Sequence, residues 1–265
     1  MDQGLPLYQV DAFTDAVFSG NPAAVCPLAS WLDDALMQKI AAENNLSETA
    51  FFVPQPEGGD TDFALRWFTP KTEVDLCGHA TLATGWTVFN ELRFAGDVVR
   101  FSSKSGILAV RRAEAGLELD FPARPGERKT PPAGLKKAIG ADVEAFYAAD
   151  KPMAVLASAD MVRSLVPDSE AIVALGGDGL IVTAPGDDCD FVSRYFAPHH
   201  GIPEDPVTGS AHCVLTPYWA ARLNKDTLFA RQVSARGGVL RCRLGGDRVF
   251  ISGAAVLYMR GRIFP

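Results

Sequence analysis

Two glycine turns in the chain carry residue types that suit a site for acid/base chemistry. The first is Cys77-Gly78-His79 and the second is Thr208-Gly209-Ser210, and each leads directly into an apolar helical pattern. A glycine turn that enters a helix leaves backbone N–H groups unpaired at the positive end of the helix dipole. Both turns are therefore suited to an anion such as a carboxylate, and residues 194–213 show the pattern most fully.

Glu48 is the candidate proton carrier. It lies between Ser47 and Thr49, directly before the apolar strand pattern of Ala50–Val53. A carboxyl group beside an apolar strand is partly desolvated, which raises its pKa and suits proton transfer near neutral pH. A solvated loop residue, or an ion-pair partner, is the alternative interpretation.

His79, Ser210 and Asp205 are the other polar candidates. His79 and Ser210 hold the same position in the two turns, so both are predicted to face one cleft. The positive end of a helix lowers the pKa of an imidazole, so a neutral His79 can donate or accept a proton. Asp205 is interpreted as a ligand for a substrate amine or hydroxyl, or as a group that tunes Glu48. A helix cap at His79 and a turn-forming role for Asp205 are the structural alternatives.

The elements that position these residues are repeated in the sequence. Arg66-Trp67-Phe68-Thr69-Pro70 matches Arg194-Tyr195-Phe196-Ala197-Pro198, and Cys77-Gly78-His79-Ala80 matches Thr208-Gly209-Ser210-Ala211. Each half contains, in order, a strand, a proline loop, a glycine turn, an apolar helix and further strands. This order predicts two domains of one fold. Arg66 and Arg194 are each expected in a salt bridge, although either could bind a carboxylate.

The fold class predicted is α+β, with two pseudo-symmetric domains that each curl a mostly antiparallel β structure around a central helix. The domains are predicted at 1–121 and 122–255, with a linker over 122–134. The two central helices, predicted over 79–92 and 209–223, are apolar nearly all round, and the second should kink at Pro217. Their N-termini are expected to hold a small carboxylate between the domains.

Two further elements follow from the local pattern. Ser30 is expected to cap a helix that runs to about Glu43, with Asp33 in the capping box. Residues 171–174 read as a strand. His212 lies further along its helix than Ser210 and is expected in the core.

Composition excludes several classes of function. The 265 residues are 48% hydrophobic and 22% charged with a net charge of −7, which argues against a nucleic-acid surface. No apolar run approaches the roughly 18 residues of a membrane span. The start of the sequence lacks the pattern of a signal peptide, so a cytoplasmic location is expected.

The cysteines and histidines show no metal-ligand or disulfide spacing. The five cysteines are far apart, odd in number and never paired as CxxC, which favours reduced thiols. Cys77 could be a reactive thiol at a helix start, but no partner cysteine accompanies it and a structural role is favoured. Neither a phosphate loop nor a dinucleotide fingerprint occurs, so nothing indicates a nucleotide.

Five separated motifs give the chain a family resemblance over almost its whole length. They are Asp11-Ala12-Phe13 with Gly20-Asn21-Pro22-Ala23-Ala24-Val25, Asn45-Leu46-Ser47-Glu48-Thr49, Arg66-Trp67-Phe68-Thr69-Pro70, Asp75-Leu76-Cys77-Gly78-His79-Ala80-Thr81, and Glu204-Asp205-Pro206-Val207-Thr208-Gly209-Ser210-Ala211-His212. The chain resembles the PhzF-like family of phenazine-biosynthesis isomerases, which shares the diaminopimelate-epimerase fold. The resemblance implies a homodimer without organic cofactor or metal that moves a proton on a small carboxylated substrate. It also implies that residues 256–265 return to the first domain.

The resemblance also assigns roles to individual residues. Glu48 stands at the position of the catalytic acid/base, and Asn21, His79, Asp205 and Ser210 stand at other cleft positions. The backbone N–H groups at Gly78 and Gly209 match the site for the substrate carboxylate. Related epimerases use two facing cysteines, whereas this chain has Cys77 in the first turn and Thr208 in the second. That departure favours Glu48 as the proton carrier.

Two alternatives remain open at this point. One is an amino-acid epimerase or racemase that uses Cys77 as one base. The other is a protein that binds a small carboxylate without transforming it. The sequence does not identify the substrate.

Overall fold

The computed structural model describes residues 4–265, and the chain divides into two compact units. Unit 1 runs to Asp120 and takes in Ser252–Pro265, and unit 2 is Phe121–Ile251. The divisions drawn from the sequence, 121/122 and 255/256, lie close to these bounds. Among the described residues, every helix falls short of the length and apolar character that a membrane crossing requires.

Unit 1 is a mostly antiparallel β structure with two helices. Its elements are β1 (Leu5–Ala12), β2 (Asn21–Pro27), α1 (Asp34–Asn44), β3 (Glu48–Pro54), β4 (Phe63–Phe68), β5 (Glu73–Val74), α2 (Gly78–Asn90), β6 (Val98–Ser103), β7 (Gly106–Ala113) and β8 (Gly116–Pro122). A later strand, Ala255–Ile263, pairs antiparallel with β1, which joins the end of the chain to this unit. β2 and β3 are parallel neighbours, as are β4 and β6, whereas β1 with β2, β3 with β4, β4 with β5, β6 with β7 and β7 with β8 are antiparallel.

Helix α1 begins later than the sequence suggested. The N-cap is Asp33, whose carboxylate accepts the N–H of Ala35 at 2.9 Å, so the expected cap at Ser30 is wrong. A carboxylate so placed pairs with an N–H group that has no partner within the helix. The helix buries Met37, Ile40 and Ala41 in a core cluster with residues from β2 and β3.

Helix α2 is buried along nearly its whole length. Its residues from Gly78 to Gly85 are all buried, as are Thr87, Val88 and Phe89. Three buried threonines keep their hydroxyls within the helix, because each donates to the carbonyl four residues earlier. These pairs are Thr81 to Cys77 at 2.5 Å, Thr84 to Ala80 at 2.7 Å and Thr87 to Ala83 at 3.0 Å. The helix therefore carries hydroxyl groups into an apolar core without leaving them unbonded.

Unit 2 repeats this plan with more short elements. They are β9 (Glu127–Lys129), α3 (Leu135–Ile139), β10 (Ala145–Ala148), β11 (Met153–Val155), α4 (Ala159–Ser164), α5 (Ser169–Leu175), β12 (Leu180–Pro185), β13 (Phe191–Ala197), a 3₁₀ turn (Pro198–His200), β14 (Ile202–Asp205), α6 (Gly209–Leu223), β15 (Thr227–Gln232), β16 (Gly238–Gly245), β17 (Arg248–Gly253) and the strand that returns to unit 1, β18 (Ala255–Ile263). Helices α3 to α5 pack with β11 and β12 in a second core cluster.

Two predictions for unit 2 are wrong. Residues 171–174 form part of helix α5, because Asp168 caps it by accepting the N–H of Ala171 at 3.0 Å. The predicted linker over 122–134 contains strand β9, which pairs antiparallel with β10. Proline and charge in that stretch therefore mark an edge strand and not a flexible connection.

Helix α6 continues through Pro217. A proline has no N–H, so the carbonyl of Cys213 loses its partner within the helix. The backbone N–H of Arg124 donates to that carbonyl at 2.9 Å. A neighbouring segment thus replaces the hydrogen bond that Pro217 removes.

The strand registers show which residue of unit 1 corresponds to which residue of unit 2. In β3–β4, Thr49 pairs with Phe68, and in β12–β13, Leu180 pairs with Phe196. Since Phe68 and Phe196 match in the sequence repeat, Gly179 holds the position equivalent to Glu48. Gly179 has φ of +141°, and a Cβ there would lie 2.4 Å from the carbonyl oxygen of Phe196. The two units therefore share a backbone plan but differ at the candidate proton carrier.

Gly85 sets how closely α2 approaches β7. A Cβ on Gly85 would lie 2.6 Å from Cγ1 of Val110. Alanine in an ordinary helix interior is more favourable than glycine by about 1 kcal/mol. Here we expect Gly85→Ala to lower the free energy of unfolding by about 1–3 kcal/mol through overpacking. Urea denaturation measures the change.

The double variant Gly85→Ala/Val110→Ala is the matched control for this prediction. Because Val110→Ala removes the clashing methyl groups, the double variant should lose less stability than the sum of the two single variants. A Gly85→Ala protein more stable than wild type would contradict the prediction.

His212 makes the stability of unit 2 depend on pH. It is fully buried in α6, its Nδ1 lies 2.8 Å from the carbonyl oxygen of Thr208, and burial lowers its pKa to about 4. The unfolded chain has a His pKa of about 6.5, so it binds the proton more tightly than the folded protein does. Stability is therefore complete above pH 6.5 and declines as the pH falls toward 4, by up to about 3 kcal/mol.

We expect His212→Asn, whose amide can still donate to Thr208, to reduce the pH dependence of the unfolding free energy between pH 6.5 and 5 by about half, because the buried His79 keeps its own contribution. Urea melts at half-unit pH intervals measure this slope. His199→Asn, which removes an exposed imidazole, is the control. An unchanged slope in His212→Asn would show that the buried imidazole does not carry the effect.

Candidate functional site

Four of the residues singled out in the sequence meet at the start of helix α2. Asn21 and Glu48 are the first residues of the parallel strands β2 and β3, and Ala23 lies opposite Glu48 in the register. Cys77 is the N-cap of α2 and His79 is its second residue. The first residues of two strands and the first turn of a helix therefore bring an amide, a carboxylate, a thiol and an imidazole together.

His79 is the centre of this group. Its Nδ1 lies 3.1 Å from Nδ2 of Asn21 and 3.4 Å from Sγ of Cys77. Its Nε2 lies 3.2 Å from Oε2 of Glu48. An amide NH₂ can only donate, so the amide orientation assigned to Asn21 makes Nδ1 an acceptor and leaves the ring proton on Nε2. In that tautomer, the proton-bearing Nε2 is the ring nitrogen that lies close to Glu48, and the 3.2 Å approach is a polar contact without the geometry of a hydrogen bond.

Burial keeps this imidazole neutral. The His79 residue is 4% exposed, and desolvation lowers its pKa to about 3. The Glu48 side chain is 14% exposed, so the carboxylate is largely withdrawn from water as well. The contact between them is therefore a close polar contact between a neutral imidazole and a carboxyl group, with no positive charge of the ring beside the carboxyl.

Glu48, Cys77 and His79 also form a group of metal-ligand type. One ligand atom from each of the three residues lies within 4.8 Å of the others. No metal-ligand spacing is visible in the sequence because Glu48 comes from a strand far from the Cys-Gly-His turn.

A second polar group, in unit 2, consists of Asp205, Thr208 and Gln232. Thr208, the N-cap of α6, donates its hydroxyl to Oδ2 of Asp205 at 2.5 Å. The side chain of Gln232 holds both residues: its Oε1 accepts the N–H of Thr208, and its Nε2 donates to the carbonyl of Asp205, each at 2.8 Å. Only 1% of Gln232 is exposed. The loop before α6 is thereby fixed by a buried amide at the end of β15.

Gln232 is the residue of this group that the sequence analysis missed. Its signal was available, because Leu228, Ala230 and Gln232 occupy alternate inward positions of β15 and all three are buried. A glutamine at the third inward position of an otherwise apolar strand face requires a hydrogen-bond partner in the protein interior.

The glycine turns have the geometry that the sequence suggested for each helix start. Gly78 and Gly209 are the first residues of α2 and α6, and His79 and Ser210 are the second. Within residues 4–265, neither Cys77 nor Thr208 makes a side-chain capping hydrogen bond to its helix. Asp205, Gly209 and Ser210 belong to unit 2, so a shared role with Glu48 stays a prediction.

The two repeated arginines are engaged in ion pairs. Arg66 donates to both carboxylate oxygens of Glu73, at 2.7 and 2.9 Å, and lowers the pKa of that carboxyl to about 2. Arg194 binds Glu204 in the same two-pronged way at 2.7 and 2.8 Å. These contacts agree with the expected salt bridges and make the arginines structural partners of the strand–loop junction.

Comparisons with known proteins agree with the motifs. A family model described as phenazine biosynthesis-like protein matches residues 10–261. A relative from Pseudomonas aeruginosa, named an uncharacterized isomerase, is 51% identical over 259 residues and covers 98% of each chain. A crystal structure of a PhzF-family phenazine biosynthesis protein from Enterococcus faecalis has a TM-score of 0.95 at 48% identity, covering 99% of this chain and 100% of that chain.

A more distant structure extends the likeness in fold. A hydroxyproline epimerase from Agrobacterium vitis, solved with bound trans-4-hydroxy-L-proline, has a TM-score of 0.67 at 11% identity, covering 99% of this chain and 93% of that chain. This likeness concerns the fold alone. The predicted α+β fold of the epimerase type is confirmed. Together, the family model, the close relative and the close structural match establish that the chain belongs to the phenazine biosynthesis-like, or PhzF-like, family.

Proposed function

We propose that this protein is a cofactor-independent isomerase that moves a proton on a small carboxylated substrate, with Glu48 as the acid/base. One observation carries the proposal: Oε2 of Glu48 lies 3.2 Å from Nε2 of a buried, neutral imidazole at the start of a helix. A relative that is 51% identical carries the name of an isomerase, which supports the class of reaction.

The first step is removal of a proton from carbon. Glu48, as a carboxylate, accepts a proton from a carbon atom next to, or conjugated with, the substrate carboxylate. The electron pair of the broken C–H bond spreads toward the substrate carboxylate, where negative charge develops. Backbone N–H groups at the start of α2, near Gly78, are suited to stabilise that charge because they are oriented before the reaction begins.

The second step returns the proton. Glu48 is now a carboxylic acid and donates its proton to a different carbon of the delocalised anion, which completes the isomerisation and regenerates the carboxylate. His79 remains neutral throughout, with its Nε2 beside the Glu48 carboxyl. A protonated imidazole would lower the basicity of Glu48, so the low pKa of His79 favours proton abstraction.

Asn21 acts through His79 in this proposal. Its side-chain nitrogen lies 3.1 Å from Nδ1, and the residue is 0% exposed. It is therefore a positioning residue that selects the imidazole tautomer. Asp205 and Ser210 are proposed to contact the substrate, with Thr208 and Gln232 holding Asp205 in place. The homodimer implied by the family resemblance stays a prediction.

An epimerase that uses Cys77 is the second candidate function. The observation in its favour is the 3.4 Å distance from Sγ of Cys77 to Nδ1 of His79, which offers the thiol a base. Against it, the residue equivalent to Cys77 in the other repeat is Thr208, and a hydroxyl is a poor proton carrier for carbon acids.

Loss of the Glu48 carboxylate tests the main proposal. A metabolite library screened by thermal shift first identifies carboxylated ligands, and each hit is incubated with enzyme in deuterated water. We expect Glu48→Gln to slow deuterium incorporation at carbon by about 10²–10⁴-fold, because removal of a general base has effects of that size. NMR of the substrate measures the rate.

Glu57→Gln, which alters an exposed glutamate of the same unit, is the matched control and should exchange at the wild-type rate. Wild-type exchange in Glu48→Gln would exclude Glu48 as the base. A ligand that binds wild-type protein without exchange or turnover would support a binding protein instead.

Cys77→Ser separates the two catalytic candidates. Under the main proposal, turnover in Cys77→Ser should stay well above that of Glu48→Gln, because the thiol does not contact the transferred proton. The same exchange assay gives both rates. Abolished turnover in Cys77→Ser, together with an active Glu48→Gln protein, would favour the epimerase.

A further inference from the structure

Two serines, one in each unit, hold the loops in front of helices α2 and α6. In unit 1, the hydroxyl of Ser105 donates to the carbonyl of Asp75 at 2.8 Å. In unit 2, the hydroxyl of Ser234 donates to the carbonyl of Pro206, also at 2.8 Å. Each carbonyl belongs to the residue two positions before the N-cap of its helix. The two hydroxyls therefore bind the same point of the two loops.

The strand registers show that the serines themselves correspond in the repeat. Phe63 of β4 pairs with Phe101 of β6, and Phe191 of β13 pairs with Ala230 of β15. The phenylalanines of β4 and β13 each lie three residues before the repeated arginine, so they hold one position of the repeat. In each unit, the serine follows four residues after the partner in β6 or β15. Both the donor and the acceptor of this hydrogen bond are thus matched between the units.

An ion pair fixes each loop at a second point. Arg66 binds Glu73 and Arg194 binds Glu204, each through two hydrogen bonds. Each glutamate lies four residues before the N-cap of its helix, and the carbonyl bound by serine lies two residues further on. Of these two contacts, the serine contact is the one nearer to the glycine turn. Two contacts so close together leave the intervening backbone few conformations.

We propose that Ser105 and Ser234 are positioning residues that orient the backbone N–H groups of the two glycine turns for a substrate carboxylate. The inference rests on the proposed function, in which the N–H groups near Gly78 stabilise that carboxylate, and it assigns Ser234 the same task at Gly209. Donors that are fixed before binding require no ordering when the ligand arrives. Loss of either hydroxyl should therefore weaken carboxylate binding, although neither serine touches the substrate.

The position of Ser105 allows matched variants. Ser105 is exposed, so Ser105→Ala creates no buried cavity and should fold as wild type does. Ser105→Thr keeps a hydroxyl that can donate to the carbonyl of Asp75. Ser102→Ala is the control, because it removes a hydroxyl of β6 that donates instead to the carbonyl of Phe63 at 3.5 Å.

Amide hydrogen exchange, followed by NMR, tests the positioning without any ligand. We expect Ser105→Ala to speed exchange in the turn Cys77-Gly78-His79 by about 3–10-fold, the effect of losing one ordinary hydrogen bond. The turn Thr208-Gly209-Ser210 should keep its wild-type rates in that variant, and Ser234→Ala should show the reverse pattern. Each alanine variant therefore controls for a general loss of stability in the other. Wild-type exchange of both turns in both variants would overturn the inference, as would faster exchange of both turns in either one.

Acetate, a minimal carboxylate, tests the link between positioning and binding. Titration of wild-type protein with acetate should shift the amide resonance of Gly78. Ser105→Ala should raise the dissociation constant for acetate by about 3–10-fold, whereas Ser105→Thr and Ser102→Ala should match wild type.

The acetate titration separates this inference from the proposed isomerisation. Wild-type affinity in Ser105→Ala would show that the hydroxyl has only a structural role and would overturn the inference. The absence of any shift at Gly78 in wild type would exclude this turn as a carboxylate site and overturn it too. Neither result decides whether Glu48 transfers a proton, because deuterium exchange in Glu48→Gln measures that step independently.

Discussion

The burial of helix α2 is the constraint on which unit 1 depends. A helix enclosed on all sides cannot use water to satisfy its polar groups, so each buried group needs a partner from the protein. Along the first three turns this partner is the helix itself, because the threonine hydroxyls donate to carbonyls four residues earlier. At the N-terminus no such arrangement is possible, since the first N–H groups lack carbonyl partners within the helix. Polar chemistry therefore concentrates at that end, where His79 meets Glu48, Asn21 and Cys77.

The same constraint explains the protonation state of the site. A charged imidazole at full burial would need a strong compensating partner, and its low pKa shows that the surroundings do not provide enough compensation. The neutral ring can donate through one nitrogen and accept through the other at the same time. It therefore contacts an amide through one nitrogen and a carboxyl group through the other without adding charge.

Much of this arrangement was visible in the sequence because its signals are local. The glycine turns, the apolar helices behind them and the repeated Arg-aromatic-Phe strands are short patterns, and each element was assigned to the correct region. The wrong predictions concern polar residues that are compatible with several structural roles. Asp33, expected in a capping box, is the cap itself, and Asp168 caps a helix that includes residues 171–174, where a strand was predicted. In both cases, one hydrogen bond from a backbone N–H to the aspartate carboxylate sets where the helix begins.

The contacts that define the site were beyond local patterns. Asn21 and His79 are 58 positions apart, and they meet because β2 packs against α2. Gln232 binds Thr208, which lies 24 positions earlier in the chain, from a strand for which the sequence shows only an alternation of apolar and polar residues. Such partners depend on strand register, which propensity and periodicity within one segment do not fix.

Gly179 makes the two units unequal in the side chains they can accept. The residue holds the place of Glu48 in the other unit, with a backbone conformation that strongly favours glycine and a carbonyl oxygen 2.4 Å from where a Cβ would stand. An acidic side chain placed there by substitution would require the β12–β13 pair to move first. A variant with one carboxylate in each half therefore needs changes to the backbone of unit 2 as well as the new side chain.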